Sequence, residues 1–289
     1  MTRRGLFLFV AMSVIWGVPY LFIRIAVSDM SPVVLVFLRT GIGALILLPI
    51  ALARGEVRGL LKSWQPLVAF AAVEVGIPWF MISSAEQKIS SSLAGLLISA
   101  VPLAGVLIAT ALGNREHLSL TSISGLLLGV AGVVAIVGFD VRASGWLPLA
   151  EMAVVVVGYS AGPAILSRYL SGQPAVGVNA VALTLCAIVY APLAAFQWPH
   201  SLPPVDAIVS VVVLGVICTA LAFLLFFALI AEIGPVRATV FTYINPAVAA
   251  ILGVIVLNES FKVGMAIGFG LVLAGSVLAA RRPAVAAPA

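Results

Sequence analysis

A chain of 289 residues is long enough for one or two soluble domains, yet 63% of it is hydrophobic, only 9% is charged, and its mean hydropathy is +1.25. Soluble domains carry about 25% charged residues, so composition excludes that class and leaves a polytopic membrane protein. The net charge of +5 is no nucleic-acid footprint, because the basic residues fall mostly in short gaps between apolar runs. Cys186 and Cys218 both lie within apolar runs and give no disulfide framework.

The apolar runs predict ten spans, at 5–27, 32–53, 64–84, 91–111, 119–138, 146–169, 175–196, 206–230, 235–257 and 263–280. Each is close to the roughly 20 residues that cross a hydrocarbon core about 30 Å thick, and a span in lipid must be helical to satisfy its own backbone. The first run is too long for a signal-peptide core and reads as a retained helix. It carries Trp16, Pro19, Tyr20 and Arg24. Arg24 falls about 28 Å along this helix, where a cation snorkels to headgroups and marks the helix end.

Span 2 holds Arg39, about 10 Å inside, which reads either as a partner for a substrate carboxylate or as a structural anchor. Span 3 holds Glu74, about 15 Å deep and one turn before Pro78. Intramembrane charge costs about 2.5–3.5 kcal/mol on insertion scales, so Glu74 needs a use. It binds an ammonium group or a transported proton, or it is an internal hydrogen-bond partner for a group such as Arg39. Glu151, at the outer end of span 6, is expected to be wetted.

Trp16 and Tyr159 fall near the middle of spans 1 and 6, unlike Trp64, Trp146 and Trp198, which suit interfacial belts. With Tyr20, Trp79 and Tyr243 they form either a cavity lining, able to attract an organic cation, or ordinary packing. Asn245, beside Pro246, is an amide in hydrocarbon and needs a partner. Pro19, Pro102, Pro163 and Pro246 each remove a helical hydrogen bond and give kinks, for gating or for fixed shape. Glycines in spans 5 and 10 favour close helix packing.

Lys and Arg in alternate connections divide unevenly. Arg3, Arg4, Arg54, Arg58, Lys62, Arg115, Arg168, Arg237, Arg281 and Arg282 lie on one side, against Lys88, Arg142 and Lys262 on the other. Both termini are therefore expected in the cytoplasm, for a protein of the bacterial-type inner membrane. The chain also repeats. At an offset of 144, Pro19 meets Pro163, Arg24 meets Arg168, and Pro102 meets Pro246; at 143, Glu116 meets Glu259, Gly125 meets Gly268, and Gly132 meets Gly275. This divides the chain into 1–140 and 145–281, five spans each, followed by a cytoplasmic tail, 282–289. An odd number of spans per half inverts the second copy, an arrangement that secondary transporters use around a mid-membrane site.

The stretches "SSLAGLLISAVPLAGVLIATALGNREHLSLTSISGLLLGVAGV" and "GPVRATVFTYINPAVAAILGVIVLNESFKVGMAIGFGLVLAGSV" resemble, each in turn, the second part of an EamA domain of the drug/metabolite transporter superfamily. Both carry a central proline (Pro102, Pro246), an acidic residue (Glu116, Glu259) and a Gly-rich helix. Trp16-Gly17 and Arg39 also look like the family. Where the family has Gly before the glutamate, this chain has Arg115 and Asn258. The resemblance implies an all-α protein of ten transmembrane helices in two inverted repeats, exporting or exchanging small metabolites.

No phosphate loop, metal-ligand cluster or Ser–His–Asp arrangement occurs in the sequence, and His117 and His200 sit in connections. The expectation is therefore a transporter and not an enzyme, with no cofactor, no metal, no ATPase partner and no nucleic acid. Its partners are a small-molecule substrate and the lipid bilayer. Amino acids moved outward are the favoured cargo, with hydrophobic organic cations as the alternative. A lipid-processing enzyme or a non-transporting scaffold has no positive sign.

Overall fold

The structure is a computed structural model, and it describes residues 1–111, 120–138 and 145–279. Arg115, Glu116, His117, Arg142, Arg281, Arg282 and the tail 282–289 lie outside the described residues. Among the described residues there is no strand. Nine helical stretches are long and apolar enough to cross a membrane. They are span 1 (Arg3–Ala26), span 2 (Pro32–Ala53), span 3 (Trp64–Ala85), span 4 (Ser91–Ala111), span 5 (Leu120–Val137), span 6 (Trp146–Tyr169), span 7 (Ala175–Phe196), span 8 (Val205–Ile233) and span 9 (Thr239–Leu257). A shorter apolar helix, Val263–Ala279, forms span 10. At about 1.5 Å per residue its 17 residues reach about 26 Å, close to the thickness of a hydrocarbon core.

Extensive helix packing joins spans 5 and 10, 2 and 7, 3 and 6, 4 and 9, and 1 and 8, and span 2 also packs on span 8. Advancing every span by five maps the first five of these pairs onto themselves, with 3–6 exchanging for 8–1. The tightest pair is built on glycine. A Cβ on Gly132 would stand 2.7 Å from the Gly268 carbonyl, and one on Gly275 2.5 Å from the Gly129 amide nitrogen. Spans 5 and 10 thus touch backbone to backbone.

Several spans are broken, and the sequence explains where. Span 1 stops at Ile15 and restarts at Pro19. The Gly17 amide turns to Val14, leaving the Ser13 carbonyl without its usual helical donor. The Asn245 side-chain amide fills that gap, donating to the Ser13 carbonyl at 3.0 Å and the Phe241 carbonyl at 3.1 Å. Pro102 and Pro246 likewise sit at helix restarts, Val101–Ala111 and Asn245–Leu257. Pro163 lies inside an unbroken helix.

Spans 3 and 8 each contain a π-helical stretch, Ala71–Gly76 and Val213–Leu221. Pro78 has no amide proton to continue the span 3 ladder, and the Ile77 amide bonds back five residues to Ala72. Span 7 serves the carbonyls at both ends of this stretch: Cys186 Sγ donates to Ala71 at 3.3 Å, and the Tyr190 hydroxyl to Gly76 at 3.0 Å.

Two connections differ from expectation. The family pattern sets Glu259 just before the Gly-rich helix of span 10, but its carboxylate caps span 4. It accepts from the Ser91 amide at 2.7 Å, the Ser92 amide at 2.9 Å and the Ser92 hydroxyl at 2.5 Å. Span 4 begins beside it with unpaired amides, and an anion is favoured there. Arg24 was read as snorkelling to headgroups, yet its Nη1 donates to the Glu86 carbonyl at the C-terminal end of span 3. The last carbonyls of a helix attract a cation more locally than a headgroup does.

Candidate functional site

Arg39 organises the interior between the two halves. It is 7% exposed, and its Nε donates to Thr219 Oγ1 at 3.1 Å. Its Cζ lies 3.6 Å from the centre of the Trp79 ring, which is itself buried. The planar guanidinium is held by one hydrogen bond and one aromatic face. Among the described residues its terminal nitrogens have no hydrogen-bond acceptor and no carboxylate within ion-pair distance. Tyr159, Cys218, Tyr20 and Glu86 surround it within electrostatic range.

Glu74 occupies the π-helical stretch of span 3. Its Oε2 is buried and accepts no hydrogen bond. The carboxyl lies against Gly162 of span 6, where any Cβ would collide with it. One turn earlier, a Cβ on Gly158 would stand 2.6 Å from the Val73 carbonyl and 2.8 Å from Pro78 Cγ. Gly158 and Gly162 therefore let span 6 rest on the distorted part of span 3. Glu74 forms no ion pair with Arg39, so the expectation that the two might tie spans 2 and 3 together is corrected. Instead both stand within electrostatic range of Tyr159.

Thr219 and Cys218 come from the π-helical stretch of span 8. Cys218 stands 144 residues after Glu74, the same offset that relates Pro19 to Pro163. The two π-helical stretches thus contribute Glu74 and Thr219 from corresponding places in the two halves. Such stretches widen a helix and shift its side chains, and they recur at functional sites.

The structure brings Arg39, Trp79, Tyr159, Tyr20 and Glu74 into one neighbourhood. Trp16 belongs to a separate aromatic cluster, with ring centres 5.8 Å from Phe223, 5.0 Å from Phe226 and 5.5 Å from Phe241. Tyr243 is partly buried two residues beyond Phe241, on the 3₁₀ stretch Thr239–Tyr243. Asn245 is committed to the two carbonyls described above. Glu151, expected to be wetted, is partly buried and accepts from Ser84 Oγ at 2.7 Å. Sequence reading missed Thr219, Gly158, Gly162 and Glu86. The repeat offset, applied to Glu74, would have led to the span 8 stretch; nothing local marked Glu86.

The model of the EamA-like transporter family matches residues 3–138 and again residues 148–281. The chain belongs to the EamA-like transporter family. Like other members, it is a multi-pass membrane protein of the drug/metabolite transporter superfamily. It is similar to the uncharacterized inner membrane transporter YedA of Escherichia coli K12, at 26% identity over 84% of this chain and 79% of that one. It is also similar to a probable terminal-alkyne amino-acid exporter of Streptantibioticus cattleyicolor, at 27% identity over 81% of this chain and 77% of that one. A crystal structure at 23% identity shares the fold, with a TM-score of 0.69 over 97% of this chain and 98% of the other. The EamA-like transporter is thus a transporter by family, and among the described residues its Arg39 and Glu74 form no ion pair.

Proposed function

We propose that the protein exports amino acids across the inner membrane by alternating access of two inverted halves, 1–140 and 145–281, around the Arg39–Glu74 region. The observation that carries this reading is a buried guanidinium with free terminal donors and a carboxyl with a buried, unpaired oxygen, both within electrostatic range of Tyr159 and not neutralising each other. A zwitterion complements both. Its carboxylate takes the Nη edge of Arg39, and its ammonium takes Glu74. Trp79, Tyr159 and Tyr20 offer aromatic surface for an apolar or aromatic side chain. The amino-acid exporter among its relatives supports the same class of cargo.

In this reading Glu74 releases the ammonium group and takes up a proton on the return half of the cycle. The proton crosses in the direction opposite to the amino acid. Trp16, Tyr243 and Asn245 belong to the packing of the pathway's walls, and the helix restarts at Pro19, Pro102 and Pro246 are places where the halves bend. Pro163 shapes span 6 without breaking it.

Counterflow of labelled amino acids in proteoliposomes tests the proposal. Arg39→Lys removes the fork that grips a carboxylate, and loss of a charged hydrogen bond, about 1.5–3 kcal/mol, weakens apparent affinity roughly tenfold to a hundredfold. Glu74→Gln is expected to remove the dependence on a pH gradient. Absence of flux for every amino acid tried overturns the amino-acid reading. Flux of organic cations that survives Arg39→Lys but not Glu74→Gln transfers the site to cationic cargo.

A further inference from the structure

Glu86 directly follows the last residue of span 3, in a short polar break, and has no exposed surface. Both of its carboxyl oxygens are buried and accept no hydrogen bond. Arg24 of span 1 is bonded to the backbone carbonyl of Glu86 and not to its carboxyl group. Among the described residues no cation forms an ion pair with it.

The charged and titratable groups facing it come from four elements. They are Glu259 from the connection between spans 9 and 10, Arg24 and Tyr20 from span 1, Arg39 from span 2, and Tyr159 from span 6. Glu259 differs from Glu86 in one respect that decides their chemistry. Its two oxygens accept three hydrogen bonds from the start of span 4, from Ser91 and Ser92, donors that favour a carboxylate. Glu86 has no such donors. Of these two carboxyl groups, one is held by a full set of donors and the other is sealed away from any. Burial first, and the Glu259 carboxylate second, push the Glu86 carboxyl well above the usual carboxylate range, against the opposing pull of Arg24 and Arg39.

The surroundings make this proton sensitive to packing. Glu86 ends span 3, Arg24 ties that end to span 1, and Glu259 ties the span 9–10 connection to the start of span 4. Separation of these elements admits water to Glu86 and removes the desolvation that holds its proton.

We propose that Glu86 is a proton-binding site of this protein, loaded while spans 1, 3, 4 and 9 are packed at this end and emptied to the adjoining aqueous face when they separate. The step is a simple ionisation: the O–H bond of the Glu86 acid breaks, its electron pair stays on the carboxylate, and the proton goes to water. The site is distinct from Glu74. It rests on the transporter reading only for the use made of the proton, since the binding itself follows from geometry.

Infrared titration of the full-length protein in lipid nanodiscs, with no amino acid present, tests the site directly. The wild type is expected to show a protonated-carboxyl stretch that titrates well above the ordinary carboxylate value of 4.5. Glu86→Gln abolishes that band, and Glu74→Gln retains it. Glu259→Gln removes the neighbouring charge and moves the midpoint to lower pH, on the order of one unit; this variant serves where Glu86→Gln does not fold. A band unaffected by Glu86→Gln, or a midpoint unmoved by Glu259→Gln, overturns the proposal. Failure of amino-acid counterflow leaves these bands untouched, so the two readings fail separately.

Discussion

At the scale of single residues, several positions have one physical reason each. Asn258 adopts φ +54°, the left-handed region. Glycine enters that region freely and asparagine more readily than other side chains, which accounts for Asn where the family pattern has Gly. Asn258→Gly is therefore expected to leave thermal stability nearly unchanged. Asn258→Val is expected to lower it by about 1–2 kcal/mol, read from unfolding of the purified protein in detergent. The turn it shapes also presents Glu259 to the start of span 4. Arg24 shows the opposite relation between sequence and site. Its position at a helix end was legible, whereas the carbonyl it serves lies 62 residues further along the chain.

At the scale of elements, the pairing of spans 5 and 10 follows from small residues on facing helices. Gly132→Ala places a Cβ 2.7 Å from both the Gly268 carbonyl and the Val272 amide nitrogen, backbone atoms that cannot swing aside. Overpacking of this kind costs about 1–3 kcal/mol, and the thermal midpoint is expected to fall accordingly. Gly270→Ala, on span 10 but with nothing within 4 Å of its Cβ, is the matched control and is expected to be neutral. The π-helical stretches of spans 3 and 8 were less legible. Pro78 was not among the residues read as kinks, and the widening beside it is served by donors from span 7, Tyr190 and Cys186, that no local pattern reveals.

At the scale of the whole molecule, the span order sets which ends meet. Arg24 near the end of span 1, and Glu86 and Glu259 after spans 3 and 9, gather at one end, as odd-numbered exits require. Thr2 donates to Glu232 at 2.5 Å, joining the N-terminus to the exit of an even-numbered span. The uneven Lys and Arg count adds a direction. Cysteine placed at Asp29 is expected to react from outside the cell with a membrane-impermeant maleimide, and cysteine at Gly55 only after permeabilisation. Both native cysteines are buried and give a quiet background. Equal labelling of the two positions in intact cells rules out the assigned orientation.

The sequence by itself determined membrane residence, the positions of the spans and the twofold repeat. These depend on hydropathy and residue spacing, which are properties of a chain read in one dimension. Arg39 and Glu74 were also visible there, because charge in an apolar run is rare and conspicuous. Only the tertiary structure decided what those groups face. Arg39 stacks on Trp79 and bonds Thr219, 180 residues away, while Glu74 rests on Gly162. It also decided that Glu86, which stands in a polar break, is sealed from solvent. Burial and hydrogen bonding are set by neighbours distant in the chain, and those neighbours determine whether a carboxyl group is wet, paired or left holding a proton.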